Sequence, residues 1–348
     1  MAVLGNLSYP LIGSFTFLIT WLFCLILMKF ANRVNALDYP DGGRKNQKTP
    51  VSFFGGTAIL LSITFVHIVI MIMKPQSLID VNLLLLLAIP SFAIFSLGML
   101  DDFYSLTPHS RLSIQFIVSV VATALLQRQN LGVKYFELDI ANFALSVFWI
   151  VLLCNALNLY DNTDLSASSA VFIAALGIFL ISIDNSQVYI TFVSFLLLVS
   201  ILAFASWNKP PAKLYLGDSG ALFLGVIIAV LLIQLRPTTD SKITSFLIPF
   251  FLVAVPVLDT FIVVITRVIR GISPFTAGRD HLSHILQNLG FSIWKLLMIL
   301  TLCSSFFALL AVVLNQRQAS SEVTMSSFGI LSWLGLAIYF SVKFNKVK

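Results

Sequence analysis

Leu216-Gly217-Asp218-Ser219-Gly220 opens a run that carries no charge until Arg236. It reads as a membrane-crossing helix with a carboxylate at its mouth. Three more polar islands interrupt apolar runs in the same way. They are Gly98-Met99-Leu100-Asp101-Asp102, the stretch from Asn155 through Asn158 and Asp161 to Asp164, and Arg279-Asp280-His281-Leu282-Ser283-His284. Carboxylates and imidazoles are costly near lipid, so a chain that keeps several there has a use for them.

The surroundings of these islands fix the class. The chain has 348 residues, of which 58% are hydrophobic and 10% charged, against roughly 25% charged in a soluble protein. It is expected to be an all-α polytopic integral membrane protein with one transmembrane domain. At about 20 apolar residues per helix, about eleven spans are predicted. They centre near residues 20, 63, 91, 119, 148, 176, 197, 228, 255, 303 and 335. The first, roughly Pro10 to Phe30, is too long for a cleavable signal and is read as a retained helix. Cys24, Cys154 and Cys303 lie in or beside apolar runs and have neither disulfide nor metal spacing.

Charge sets the sides. The loops 31–52, 101–111, 155–167, 207–219 and 267–291, with the C-terminus and the flanking Lys29 and Lys295, hold fifteen of the 21 Lys and Arg residues. The opposite face holds Lys74, Arg128, Lys134, Arg236, Lys242 and Arg317. The richer face is expected in the cytoplasm, which puts the N-terminus outside and the C-terminus inside. The net charge of +6 is thus a matter of topology and gives no reason to expect a nucleic-acid partner. All four polar islands fall on the cytoplasmic face, so distant loops are expected to build one site there.

Asp101 and Asp102 are neighbours that cannot both ionise cheaply without a cation. A hard divalent ion, Mg²⁺ with Mn²⁺ as the alternative, is the natural neutraliser. Asp161 and Asp164, and before them Asn155 and Asn158, have a spacing that shares one face of a helical turn; capping is the competing reading. Asp218 or Ser219 would cap a helix starting near Ala221, and a helix start flanked by glycine suits a phosphate. Arg267, Arg270, Arg279, His281 and His284 offer donors matched to phosphate, as do Arg44, Lys45 and Lys48 in the first loop. Asp259 lies inside the ninth span, paired within the bundle or used by the site, and His67 reads as a packing histidine. Together these are the parts for phosphoryl transfer between a soluble donor and a lipid acceptor.

The motifs resemble those of the polyprenyl-phosphate N-acetylhexosamine-1-phosphate transferases. The resemblance runs from about Asp38 to Gly290. It is carried by Asp38-Tyr39-Pro40 with Arg44-Lys45 and Gly55-Gly56, by Gly98 to Leu106 with Arg111 and Gln115, and by Asn155 to Asp164. Asn208-Lys209-Pro210-Pro211-Ala212 leading into Leu216–Gly220 follows, and then Pro256 to Asp259, Gly271 to Phe275 and Arg279 to His284. Bacterial branches of that family start O-antigen, common-antigen, teichoic-acid and peptidoglycan lipid intermediates in the cytoplasmic membrane.

The resemblance implies that undecaprenyl or another polyprenyl phosphate attacks the β-phosphorus of a UDP-N-acetyl sugar, UDP-N-acetylglucosamine or a relative. UMP leaves. It also implies that Asp218 holds Mg²⁺, with Asp101 and Asp102 at the metal or the acceptor phosphate. Asp161, Asp164, Asn155 and Asn158 would line the donor site. His281, Arg279 and His284, with Arg44 and Lys45, would meet phosphate. A phosphomonoester is largely dianionic near neutral pH, so direct in-line attack is preferred over a covalent phospho-aspartate. A homodimer is left open.

The sequence departs from the family's pattern at Gln47 (often His), Ser52 (often Pro), Asn162 (often Gly) and Leu165, which stands where Gly commonly follows Asp164. Ser283 interrupts the histidine run of the peptidoglycan branch, which points to the N-acetylglucosamine branch. The competing readings are a transporter, which would gather its polar residues near the midplane, and a family member that has lost catalysis.

Overall fold

The computed structural model describes residues 9–40, 47, 49–73, 81–239, 241–276, 278–316 and 319–346. Arg44, Lys45 and Lys48 lie outside them. Thirteen helices follow in order among the described residues: α1 (Tyr9–Val34), α2 (Gly55–Met73), α3 (Val81–Tyr104), α4 (Pro108–Arg128), α5 (Asp139–Tyr160), α6 (Ser166–Asp184), α7 (Val188–Asn208), α8 (Gly217–Gln234), α9 (Lys242–Leu252), α10 (Ala254–Ile269), α11 (Leu282–Asn288), α12 (Ile293–Asn315) and α13 (Ala319–Lys346). Ten of them are long and apolar enough to cross a membrane. The α9–α10 pair raises the number of spans to eleven if it counts as one.

That pair is where the expected span near residue 255 departs from a straight helix. It bends by 81° between Leu252 and Ala254. Pro249 sits in α9 and Pro256 in the first turn of α10, so the break falls between two residues that lack a backbone donor.

α8 is the axis of the bundle. Every residue from Ser219 to Gln234 is buried, and α2, α3, α5 and α6 pack around it. A helix apolar on all sides belongs in the middle of a membrane protein, where no face needs water. Close approach to it depends on absent side chains. A Cβ on Gly56 of α2 would come within 2.1 Å of the Gly220 Cα, and a Cβ on Gly98 of α3 within 2.4 Å of the Ser219 Cα.

The loop between α1 and α2 is tied to the start of α8. β1 (Leu37–Asp38) and β2 (Val51–Ser52) form a short antiparallel pair, and Ser52 bridges to Leu214. Gln47 completes the tie. Its Nε2 donates to the Asp38 backbone oxygen at 2.8 Å and to Asp38 Oδ2 at 2.9 Å, and its Oε1 accepts from the Tyr215 hydroxyl at 2.6 Å.

His67 is buried with Nδ1 2.8 Å from the Ile63 oxygen. The three cysteines are free thiols, Cys24 and Cys154 fully buried.

Candidate active site

The end of α3 carries the paired carboxylates, and the structure gives them different work. Asp102 turns toward α8. Its Oδ1 accepts from the Asp218 N–H at 2.7 Å and its Oδ2 from the Ser219 N–H at 3.0 Å. It therefore caps the helix from outside. The expected cap by Asp218 or Ser219 is corrected, and α8 begins at Gly217, not near Ala221. Gly217 has φ +78°, a left-handed conformation that glycine adopts without a Cβ penalty. This turn is what points two bare N–H groups at Asp102.

Asp101 is buried and held by α4. Its Oδ1 accepts from the Leu106 N–H at 2.7 Å, and its Oδ2 takes the Arg111 Nη1 at 2.5 Å. The same Nη1 lies 3.6 Å from Asp218 Oδ2. Arg111 thus stands between two carboxylates from different helices. Sequence reasoning gave it no role beyond resemblance, although a lone Arg ten residues past an Asp-Asp pair was a usable signal.

α5 supplies the amides. Asn155 donates to Gln115 Oε1 at 2.6 Å, and Asn158 donates to Asp218 Oδ1 at 2.7 Å. Both lie on the last turns of α5, as their spacing predicted. Asp161 and Asp164 do not share that helical face, because α5 ends at Tyr160. They lie instead in the tight turn to α6, brought to the same rim.

Asp161 is half-buried, and its carboxylate has no hydrogen bond among the described residues. Burial, and the nearby Asp218, Asp164 and Asp102, push it up to about 8. Asp164 Oδ2 accepts from the Ala212 N–H at 2.9 Å; burial raises its carboxyl above the usual range and that hydrogen bond opposes the rise. Asn208, another residue with no role assigned from the sequence, closes the turn. Its side-chain oxygen accepts from the Leu165 N–H at 2.9 Å and from the Ser168 hydroxyl at 3.0 Å. Leu165 has φ +67°. The chain keeps the left-handed turn that glycine would favour and carries a strain of roughly 1–2 kcal/mol there.

The histidine motif is set by a buried carboxylate. Asp259 is fully buried in α10. Its Oδ2 lies 2.8 Å from His281 Nδ1, and its Oδ1 accepts from the Leu282 N–H at 2.6 Å. It anchors both the imidazole and the start of α11.

One residue of this region is corrected. Arg267 was expected among the phosphate donors. It is buried, its Nε and Nη2 grip Asp280 at 2.6 Å each, and its Nη1 donates to the Pro274 oxygen at 2.6 Å. A guanidinium taken out of water must be paired, so Arg267 shapes the loop. Burial works against ionisation of Asp280, and the Arg267 pair overcomes it to hold the carboxyl below its ordinary range. His284 lies beside His281, ring centroids 5.6 Å apart. Burial lowers it to about 4, and the neighbouring His281 and Arg279 add to that. It is a neutral imidazole at pH 7. Arg279 is exposed on the same loop.

Asp102, Asp218, Arg111, Asn158, Asp161 and Asp164 thus meet at one end of the bundle. The histidine motif is joined to them where Ser283 hydrogen-bonds Asn162. Among the described residues, no three His, Cys, Asp or Glu side chains converge tightly enough to ligate one ion.

A sequence model of glycosyl transferase family 4 matches residues 83–236, the span from α3 to α8 that carries the carboxylates and amides. This stretch of the chain is similar to that family. Several curated proteins align over most of the length of the chain. A probable undecaprenyl-phosphate N-acetylglucosaminyl 1-phosphate transferase of Bacillus subtilis (strain 168) is 28% identical over 308 residues, covering 87% of this chain and 83% of that protein. The undecaprenyl-phosphate alpha-N-acetylglucosaminyl 1-phosphate transferase of Escherichia coli O157:H7 is 26% identical over 332 residues, with coverage of 91% and 87%. That of Yersinia pestis is 24% identical over 341 residues, with coverage of 94% and 90%.

Proposed function

We propose that this chain is a member of glycosyl transferase family 4 and that it transfers an N-acetylhexosamine-1-phosphate, with N-acetylglucosamine the favoured sugar, from its UDP ester to undecaprenyl phosphate and releases UMP. The observation that carries the reading is the meeting of Asp218, Asp161 and Arg111 at one end of an otherwise apolar bundle. The fifteen-to-six distribution of Lys and Arg supports placing that end in the cytoplasm of a bacterial cell, with the N-terminus outside and the C-terminus inside. A transporter is disfavoured by the same placement, because its polar residues would gather at mid-bundle.

The donor set fits a hard divalent cation. Asp218 has a side chain 41% exposed, and its Oδ2 lies 3.6 Å from the Arg111 Nη1; among the described residues no hydrogen bond compensates the burial of the Asp161 carboxylate. Mg²⁺ commonly takes one or two carboxylates and completes its shell with water and substrate phosphates. The lack of a three-ligand cage among the described residues accords with that habit. When bound, the ion neutralises the donor's diphosphate as a Lewis acid. Asp218 and Asp161 are assigned as its ligands. Asp101 and Asp102 are not, since their oxygens are engaged by Arg111, Leu106 and the start of α8.

Arg111, held by Asp101, is assigned to the acceptor phosphate. Asp259 accepts from His281 Nδ1–H, which leaves Nε2 for a donor phosphate oxygen. Arg279 and the neutral His284 complete that side, and Asn155 and Asn158 order the amide face. No general base is required, because the acceptor is already dianionic. The dominant barrier is bringing two anions together, and fixed cations and dipoles lower it. With the oxygens of both α3 carboxylates occupied, neither is placed as a nucleophile, which supports direct in-line attack.

The test is UMP release by the purified protein with undecaprenyl phosphate, Mg²⁺ and a panel of UDP-N-acetyl sugars. Lipid-dependent UMP from one donor, abolished by chelation, is the expected result. A folded preparation that releases none from any donor overturns the proposal.

A further inference from the structure

The site is built from two parts of the chain that arrive separately. One part is the carboxylate half, formed by α3, α4, α5, α8 and the 161–165 turn. The other is the histidine half, formed by the end of α10 and the seven-residue α11. Asn162 lies between Asp161 and Asp164, and Ser283 lies between His281 and His284. These two interleaved residues touch: the Ser283 hydroxyl donates to Asn162 Oδ1.

The geometry makes this more than a chance surface contact. Ser283 is buried. Asn162 Nδ2 donates to the Leu159 oxygen at 2.9 Å, which ties the amide to the last turn of α5 and turns its oxygen toward α11. The Thr163 hydroxyl donates to the same oxygen at 3.0 Å. The Ser166 hydroxyl in turn donates to the Thr163 backbone oxygen at 2.6 Å, which stiffens the turn. Asn162 also stands where the resembling family has a frequent Gly, and Ser283 interrupts the histidine run of its peptidoglycan branch.

We propose that the Asn162–Ser283 pair is a clasp that sets the histidine motif against the carboxylate half, so that both are positioning residues for transfer. The proposal rests on the transferase reading. Neither side chain is assigned to substrate. Each acts through its neighbours, since a shift of Ser283 moves His281 and His284, and a shift of Asn162 moves Asp161 and Asp164.

The test is a double-mutant cycle on the full-length protein with Ser283→Ala, Asn162→Ala and the pair together. Residues in one hydrogen bond couple by enough to make their effects non-additive. Each single change is expected to lower kcat about 10-fold with KM for the lipid acceptor unchanged, and the double change about 10-fold as well, not about 100-fold. Ser283→Thr, which keeps the hydroxyl, is expected to restore most of kcat. Wild-type kcat in either single variant, or a multiplicative loss in the double, overturns the clasp.

Hydrogen exchange on the same proteins needs no turnover. Asn162→Ala is expected to speed exchange in residues 281–289, across the contact, and Ser283→Ala in residues 160–166. Unchanged exchange in both segments overturns the clasp even if no donor is turned over. Absence of UMP with wild-type protein counts against the transferase reading alone.

Discussion

Asp102 gives the sharpest prediction, because the sequence placed it in the chemistry and the structure places it in the fold. Replacing it with Ala removes the acceptor for two N–H groups at the start of α8, at 2.7 and 3.0 Å. A buried donor left unpaired costs about 1–3 kcal/mol, and the lost anion at a helix N-terminus adds about 0.3–1 kcal/mol. The sum is about 2–7 kcal/mol, and partial entry of water at the rim favours the lower half of that range. Asp102→Asn keeps one acceptor oxygen and is expected to cost about 1–2 kcal/mol, near the price of a cap. Thermal inactivation in detergent, followed with UMP release per folded molecule, separates the two roles. The expected result is a marked loss of stability in Ala, a smaller one in Asn, and residual turnover in whatever remains folded. An Ala variant as stable as wild type but without activity would refute the capping argument and return Asp102 to the reacting groups.

Three further outcomes follow from the geometry. Gly56→Ala sets a methyl 2.1 Å from the Gly220 Cα, backbone that cannot yield without moving α2 from α8; overpacking of about 1–3 kcal/mol is expected, and an unchanged melting profile would contradict the close approach. Metal-free wild type is expected to lose stability as pH rises, because the Asp161 carboxyl is raised to about 8 in the folded state; its contribution is full below the unfolded value of about 4 and is lost through about 8. Asp161→Asn should flatten that slope and weaken the stabilisation given by Mg²⁺, with melting in chelator at pH 5 and pH 8 as the check. Asp259→Asn is expected to cut turnover more than it cuts donor affinity, by about 10-fold or more in kcat, since it loosens His281 without touching substrate; kcat and KM measured separately decide it.

The sequence marked polar residues that the structure gathers at one end of the bundle, and not which groups hold which. Carboxylates at the ends of apolar runs stood out because lipid tolerates them badly, and Asp101, Asp161, Asp218 and His281 were all found on that ground. The eleven apolar stretches followed from length alone. What stayed hidden were partnerships across the bundle. Asp102 and the Asp218 N–H are 116 positions apart, and no periodicity encodes such a pair. Arg267 looked like a phosphate donor until its burial against Asp280 showed a structural pair. The bend after Leu252 left a trace in Pro249 and Pro256, but hydropathy averages over both and reads a single span. Asp259 had a readable clue: a carboxylate deep in a helix needs partners, and His281 and the Leu282 N–H serve as such.

The outside cap on α8 also bears on how the protein is made. A growing chain inserts α3 well before Gly217 leaves the ribosome. Until α8 arrives, Asp102 has no helix start to hold, and the Asp218 carboxylate that faces Arg111 does not yet exist. Asp259 then waits in turn for His281. Competence therefore comes late and nearly at once, when the segment through His284 has been synthesised and docked. A chain stalled before that point has Asp101 paired with Arg111 but no α8 start for Asp102 and no His281 for Asp259, so its site is incomplete.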